Sequence, residues 1–520
     1  MRSARPWKAA LAVAASTLAM SACGGGGSSG DDASSGDPVS GGSVSIIQMS
    51  EPRILDPAAM QNSAATQGIV GNALFGTLLM DNADGTFDYG LAKGLETSDG
   101  GTTWRLTLRD GLTYSDGSPM DAADVAANWK RIKDPSLGSA SLAAAEYLDT
   151  MRPEGQVLTF TLTEPIANYG NAIVFNTLNW IAKPEALEGD PAAFDKNPIG
   201  AGPFTLESWA RGGKMVLKKN PAYFDKPKPY VDGLELTANG DEGQRLTTVQ
   251  SSGADAYVTN DSARYKEGLA NGLKGVKLDL NGGVSMGMNT RFAPFDDPRA
   301  REAVAKAVDL DAVNEAAYDG QGTVPRSFFT KDSPFYNGVP LTGYDKDAAQ
   351  RLFDELDDEG KPVEFTILAF QSSQSRRVSE AFQAQLSAYD HVKVEVEVLD
   401  YPAAIAKSNN REFQLSPAGS LGFIDPEVNL YQNLHSSSKG NYTGISDPQL
   451  DAALEKGRRS SDIKERKAAY KVVSERLAAL NPIIFNIAYL NAISFRPEVA
   501  GFREYGSSSI AVDGVWTTDG

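Results

Sequence analysis

The chain has 520 residues, enough for two or three domains, and its 41% hydrophobic and 22% charged residues are ordinary for a globular protein. Asp and Glu number 67 against 49 Lys and Arg, a net charge of −18 that argues against nucleic acid and against attraction to an anionic membrane face. A single cysteine, Cys23, rules out an intrachain disulfide, and two isolated histidines, His391 and His435, leave no His/Cys metal site.

Arg2, Arg5 and Lys8 precede an apolar run, Ala9 to Met20, that is too short to span a bilayer but suits a secretory signal. Met20-Ser21-Ala22-Cys23 then resembles a bacterial lipobox, which implies a signal peptide over 1–22 and lipidation of Cys23. An ordinary signal peptide with an incidental cysteine is the alternative. Gly24 to Gly42 is almost all Gly, Ser and Asp with no apolar stripe to bury, so residues 23–42 are expected to be a flexible tether. The body that follows has no run long and apolar enough to cross a membrane.

Val44–Gln48 reads as a strand ended by the turn at Ile54–Pro57, and Ile69 to Leu79 resembles the first helix of a known family. Trp104, Leu106 and Leu108 alternate with Thr and Arg, a half-buried strand, and Asp121 can cap a helix carrying Val125 and Trp129. Leu158, Phe160 and Leu162 make another strand. In Asn197–Phe224, Pro198, Gly200, Gly202 and Pro203 force a rigid loop, with the glycines expected to supply positive φ. A hairpin over Phe204–Leu217 follows, turning at Gly212-Gly213. Asp297 and Pro298 start a helix, whose narrow apolar face is Ala303, Ala307 and Leu310. Val363–Ala369, the stripe Val378, Phe382, Leu386, Tyr389, and the alternating Val392–Val398 form a βαβ unit. Ligands in such units sit beyond the carboxyl ends of strands, which points at Phe370 and Gln371. Asp462 and Glu465 read as a capping box for a helix burying Tyr470, Val473, Leu477 and Leu480 and ending at Asn481-Pro482.

Catalytic signatures are missing. There is no P-loop and no G-x-S-x-G, and Ser461-Asp-Ile-Lys464 matches S-x-x-K without its companion motifs. With two isolated histidines a Ser-His-Asp triad is also poorly supplied, so no enzyme and no cofactor is expected.

Pro198-Ile-Gly-Ala-Gly-Pro-Phe204, Trp209, Lys219-Asn-Pro-Ala-Tyr-Phe224 and the stretch from Trp104 to Val125 resemble the extracytoplasmic solute-binding proteins of family 5, which serve oligopeptide, dipeptide and nickel ABC importers. The resemblance runs from about Val44 to about Pro497. It implies an α/β fold of the type II periplasmic-binding-protein (Venus flytrap) kind, two lobes with an extra subdomain inserted in the first. Lobe I would take 43–83, 198–280 and 485–520, the insert 84–197, and lobe II 281–484, with chain crossings near Asn281 and Pro482. The protein would be a monomeric lipoprotein on the outer face of the cell membrane, closing on a solute and passing it to permease subunits.

The resemblance also implies site residues. Asn62, Ser63 and Thr66 fall where the family offers backbone to an extended ligand, and Thr259 and Asn260 at a polar pair of the first lobe. Tyr489 falls near an aromatic position at the return crossing. Phe423 and Asp425 lie in the pocket loop of the second lobe, Ser416–Leu430. Peptide-binding members carry there a tryptophan and an aspartate that pairs with the peptide amine; aligned on Pro426, those positions are Gly419 and Gly422. Either Asp425 takes over that role or the ligand has no free amine. Peptide is therefore the leading ligand class, with an oligosaccharide or a metal chelate as alternatives. A secreted hydrolase or a surface receptor on the same fold is the competing class.

Overall fold

The computed structural model describes residues 36–518 apart from Ala83, Asp279, Gly422, Ser507 and Ser508. The expected signal peptide, Cys23 and most of the tether lie outside the described residues, as does Gly422. The tether's last residues already touch the body: the Gly41 N–H donates to Tyr230 O at 3.0 Å, two residues before the first strand. Among the described residues no helix is long and apolar enough to cross a membrane.

Two large sheets define two lobes. In the first, seven strands run in the order Lys274–Lys277, Ala492–Phe495, Ala256–Thr259, Ser43–Gln48, Gly233–Ala238, Met215–Lys219, Phe204–Trp209. Ser43–Gln48 lies at its centre, parallel to both neighbours, with Ile46 opposite Leu236 on one side and Ala256 on the other. A strand with parallel partners on both edges is covered by helices on its faces, which is why Val44 and Ile46 are fully buried.

The second sheet orders Val392–Leu399, Val363–Phe370, Leu415–Ser420, Val284–Met288 and Ile483–Ile487. Val363 pairs with Val392 and the register holds to Phe370 and Leu399, with the helix Ser373–Leu386 between them: the expected βαβ unit. The alternating Val392–Leu399 is the sheet's edge, where outward Lys and Glu discourage pairing with another chain.

A third, antiparallel sheet, Ala92–Thr97, Thr103–Leu108, Val157–Leu162, Leu148–Glu154, stands between the first and later strands of the first lobe. Its inward face, Trp104, Leu106, Leu108, Leu158 and Phe160, packs on the helix Ala122–Ile132, whose Trp129 meets the Phe160 ring edge-on at 5.1 Å.

Five details differ from the sequence expectation. The helix begun at Pro298 ends at Ala307, and Leu310 opens a new helix, Leu310–Tyr318, capped by Asp309. The first helix runs only Gly68–Phe75, because Gly76 at φ 68° ends it and Leu79–Asp81 becomes a strand. Gly200 and Gly202 do not sit at positive φ; Gly200 lies against the Leu74 carbonyl and the Phe75 ring and Gly202 against the Ala73 and Leu74 carbonyls, where a Cβ has no room, and the Gly202 N–H donates to Leu74 O at 3.0 Å. Asp462 caps its helix, but Glu465 accepts from Ser460 Oγ at 2.8 Å instead of returning to the cap backbone. Ile483–Ile487 belongs to the second sheet, so the chain returns to the first lobe at 488–491, a few residues later than 485.

Candidate functional site

The lobes meet along the helix Tyr169–Phe175. Phe175 at its end packs against both the inserted subdomain and the second lobe's aromatic cluster of Phe328, Phe423 and Phe485. Asn62 steadies the first lobe's side, donating from Nδ2 to Val174 O at 2.8 Å.

Charged groups ring this apolar contact. Arg458, on the helix Pro448–Arg459, reaches across to Glu164 of the first lobe at 2.9 Å and lies against Tyr147 at 4.5 Å and its own lobe's Tyr431 at 3.9 Å. Its Nε also sits 2.9 Å from Glu427 Oε1, an ion pair not aligned as a hydrogen bond. Backbone closes the seam: the Ala167 N–H donates to Arg458 O and Asn168 Nδ2 to Ser460 O, both at 2.9 Å. The gap left between Tyr147, Tyr169, Val428 and Arg458 measures about 10 Å³, room for one water at most. Burial lifts the Glu427 carboxyl to about 7, against the pull of Arg458.

Asp425 accepts from both Arg466 Nη1 and Nη2 at 2.7 Å, each side chain buried, and its Oδ1 also takes the Glu427 N–H. Opposite, Asp81 of the first lobe is buried too. Its Oδ1 accepts the Gly506 N–H at 2.6 Å, and burial lifts the carboxyl to about 6 with a further push from Asp425.

The residues read from sequence fall in three groups. Asn62, Phe423 and Asp425 are brought together where the lobes face each other. Ser63 and Thr66 are next to them, but Ala64–Gln67 is a turn: the Thr66, Gln67 and Gly68 N–H groups all point at Ser63 O, which leaves those three donors engaged within the turn. Thr259 and Asn260 end the strand Ala256–Thr259, and the Thr259 hydroxyl is engaged internally, donating to Glu242 at 3.0 Å and accepting from Asp261 N. Phe370 and Gln371 do stand beyond the carboxyl end of their strand, Phe370 tilted against the exposed Tyr401 at 5.3 Å. Tyr489 lies in the return crossing, half-buried.

Sequence reading passed over Asp81, Glu164, Glu427, Arg458 and Arg466. One of them left a signal. Arg466 shares its helix face with Tyr470, Val473 and Leu477 at spacings of four, seven and eleven, so the helical period puts a charge on the buried stripe, where it needs a buried partner.

The family model for bacterial extracellular solute-binding proteins, family 5, matches residues 86–442, and the chain belongs to that family. Its members are substrate-binding proteins of ABC transporters and not enzymes. The chain is 29% identical to protein XP55 of Streptomyces lividans over 469 residues, covering 84% of this chain and 82% of that one. It is 22% identical to the oligopeptide-binding protein AppA of Bacillus subtilis over 513 residues, 93% of each. The structure of AppA with a nonapeptide superposes with a TM-score of 0.72 over 93% of this chain and all of that one, at 21% identity. That of the binding protein AgaA with agropinic acid, from an Agrobacterium, superposes with 0.75 over 92% and 99%, at 22% identity.

Proposed function

We propose that this protein captures a peptide between its two lobes and delivers it to the permease subunits of an ABC importer, working as a monomer held at the outer face of the membrane by lipid on Cys23. The hinge is then the pair of segments 278–283 and 488–491, the two places where the chain leaves one large sheet for the other. The observation that carries this reading is the seam at Arg458. Ion pair, ring contact and backbone hydrogen bonds cross from lobe to lobe there, while covalent continuity between the sheets is confined to two short segments. Such a joint opens by rotation about the hinge and closes on a ligand. Peptide as the ligand rests on the likeness to AppA.

A second reading, a polar solute without a free amine, is favoured by one observation: the Asp425 carboxylate is already satisfied by Arg466. AgaA, a relative in fold, has a structure in complex with agropinic acid.

The test is a thermal-shift and scattering panel on the full chain with di- to hexapeptides, neutral oligosaccharides and nickel chelates. A ligand at about 100 times its Kd adds roughly 2.7 kcal/mol, a plain rise in Tm, and closure shrinks the radius of gyration. If peptides leave both unchanged and another class moves them, the peptide reading falls.

A further inference from the structure

Asp81 ends the short strand Leu79–Asp81 on the first lobe's side of the seam. It is 4% exposed, and while Oδ1 accepts from Gly506, Oδ2 is fully enclosed with no hydrogen-bond partner among the described residues. Arg503, on its own lobe, favours the Asp81 charge without bonding to it, pairing instead with Asp88 at 2.7 Å and donating to Asn82 Oδ1 at 2.9 Å. Across the seam stand more acids. Asp425 is neutralised by Arg466 and Glu427 by Arg458, so neither arginine is free for Asp81. Among the described residues Asp425 and Glu427 each pair with an arginine, whereas Asp81 accepts one backbone N–H and feels Arg503 only from a distance.

A carboxylate taken out of water without a counter-charge opposes the step that buries it. Here that step is the approach of the lobes. We propose that Asp81 receives a cationic group of the bound solute, an ammonium or a guanidinium, so that full closure is favourable only around a positively charged ligand. The inference rests on solute capture between the lobes but not on the solute being a peptide. Asp81 is a specificity residue contributed by the first lobe, and the lobes read ligand charge through its missing partner.

Calorimetry with the full chain and its Asp81→Asn variant tests this. The probes are tetra-alanine, N-acetyl-tetra-alanine, N-acetyl-Ala-Lys-Ala-Ala amide, maltotetraose and the chitosan tetramer. Binding confined to cationic probes and weakened at least about 30-fold by Asp81→Asn supports the inference. Tetra-alanine binding then marks the α-amine as the recognised group, and the acetylated lysine peptide alone marks a side chain. If only the chitosan tetramer binds, the peptide reading fails while the role of Asp81 stands. A neutral probe that binds tightly, or a cationic one indifferent to Asp81→Asn, overturns it. A ligand-free readout guards against an empty panel: at pH 8 the Asp81→Asn protein has the smaller radius of gyration, and equal radii overturn the proposal.

Discussion

Arg466 grips Asp425 with both terminal nitrogens at 2.7 Å, and both side chains are buried. The pair anchors the loop that leads from the strand Leu415–Ser420 into the helix Glu427–Leu434. Removing one member leaves the other charge stranded. Arg466→Met is therefore expected to destabilise the protein by about 3–5 kcal/mol, read as a fall in denaturant midpoint. The double change Asp425→Leu with Arg466→Met recovers most of that loss, because no bare charge remains.

Arg458 performs a comparable task between lobes. Arg458→Gln removes the bridge to Glu164 and leaves Glu427 buried alone, at a cost to closure of about 2–5 kcal/mol. Scattering at saturating ligand checks this: the variant needs far more ligand to reach the compact radius, and an unchanged titration contradicts the assignment of Arg458 to the seam.

Both Glu427 and Asp81 have carboxyls raised by burial, to about 7 and about 6, above their ordinary values of 4.5 and 3.8. A raised acid holds its proton longer in the folded, closed protein, so its stabilising contribution is complete below about pH 4 and is lost as pH rises through 6 to 7. Glu427→Gln and Asp81→Asn are each expected to flatten this part of the stability-against-pH curve relative to the parent. The groups facing them, Asp425, Arg458, Arg466, Glu164 and Arg503, are present in both proteins and cancel in the comparison. Melting temperatures at pH 5 and pH 8 for the three proteins decide it.

Gly202 sits against the carbonyls of Ala73 and Leu74 at the end of the first helix. Gly202→Ala forces the loop off that helix and is expected to cost about 1–3 kcal/mol, whereas Gly212→Ala, in an open turn at φ 69°, strains only the turn. A loss at Gly202 no larger than that at Gly212 would show that close approach did not choose glycine at 202.

Much of this molecule was legible in its sequence because local rules and tertiary fate agree. The βαβ unit at 363–399, the caps at Asp121 and Asp297, and the half-buried strand at 103–108 follow from periodicities of two and 3.6 and from short-range hydrogen bonding. So does the absence of any catalytic signature, and the family resemblance carried the two-lobed plan. The seam was different. Asp425, a candidate ligand group by resemblance, is held by a residue 41 positions away; Asp81 takes its hydrogen bond from Gly506, 425 positions on; Gly202 is a glycine because of Ala73 and Leu74. Charge pairing and close approach depend on which surfaces the fold presses together, and no local period records that. The sequence alone determined the elements and the class of protein, and only the tertiary structure decided which buried charges have partners and that, among the described residues, Asp81 Oδ2 is enclosed without a hydrogen bond.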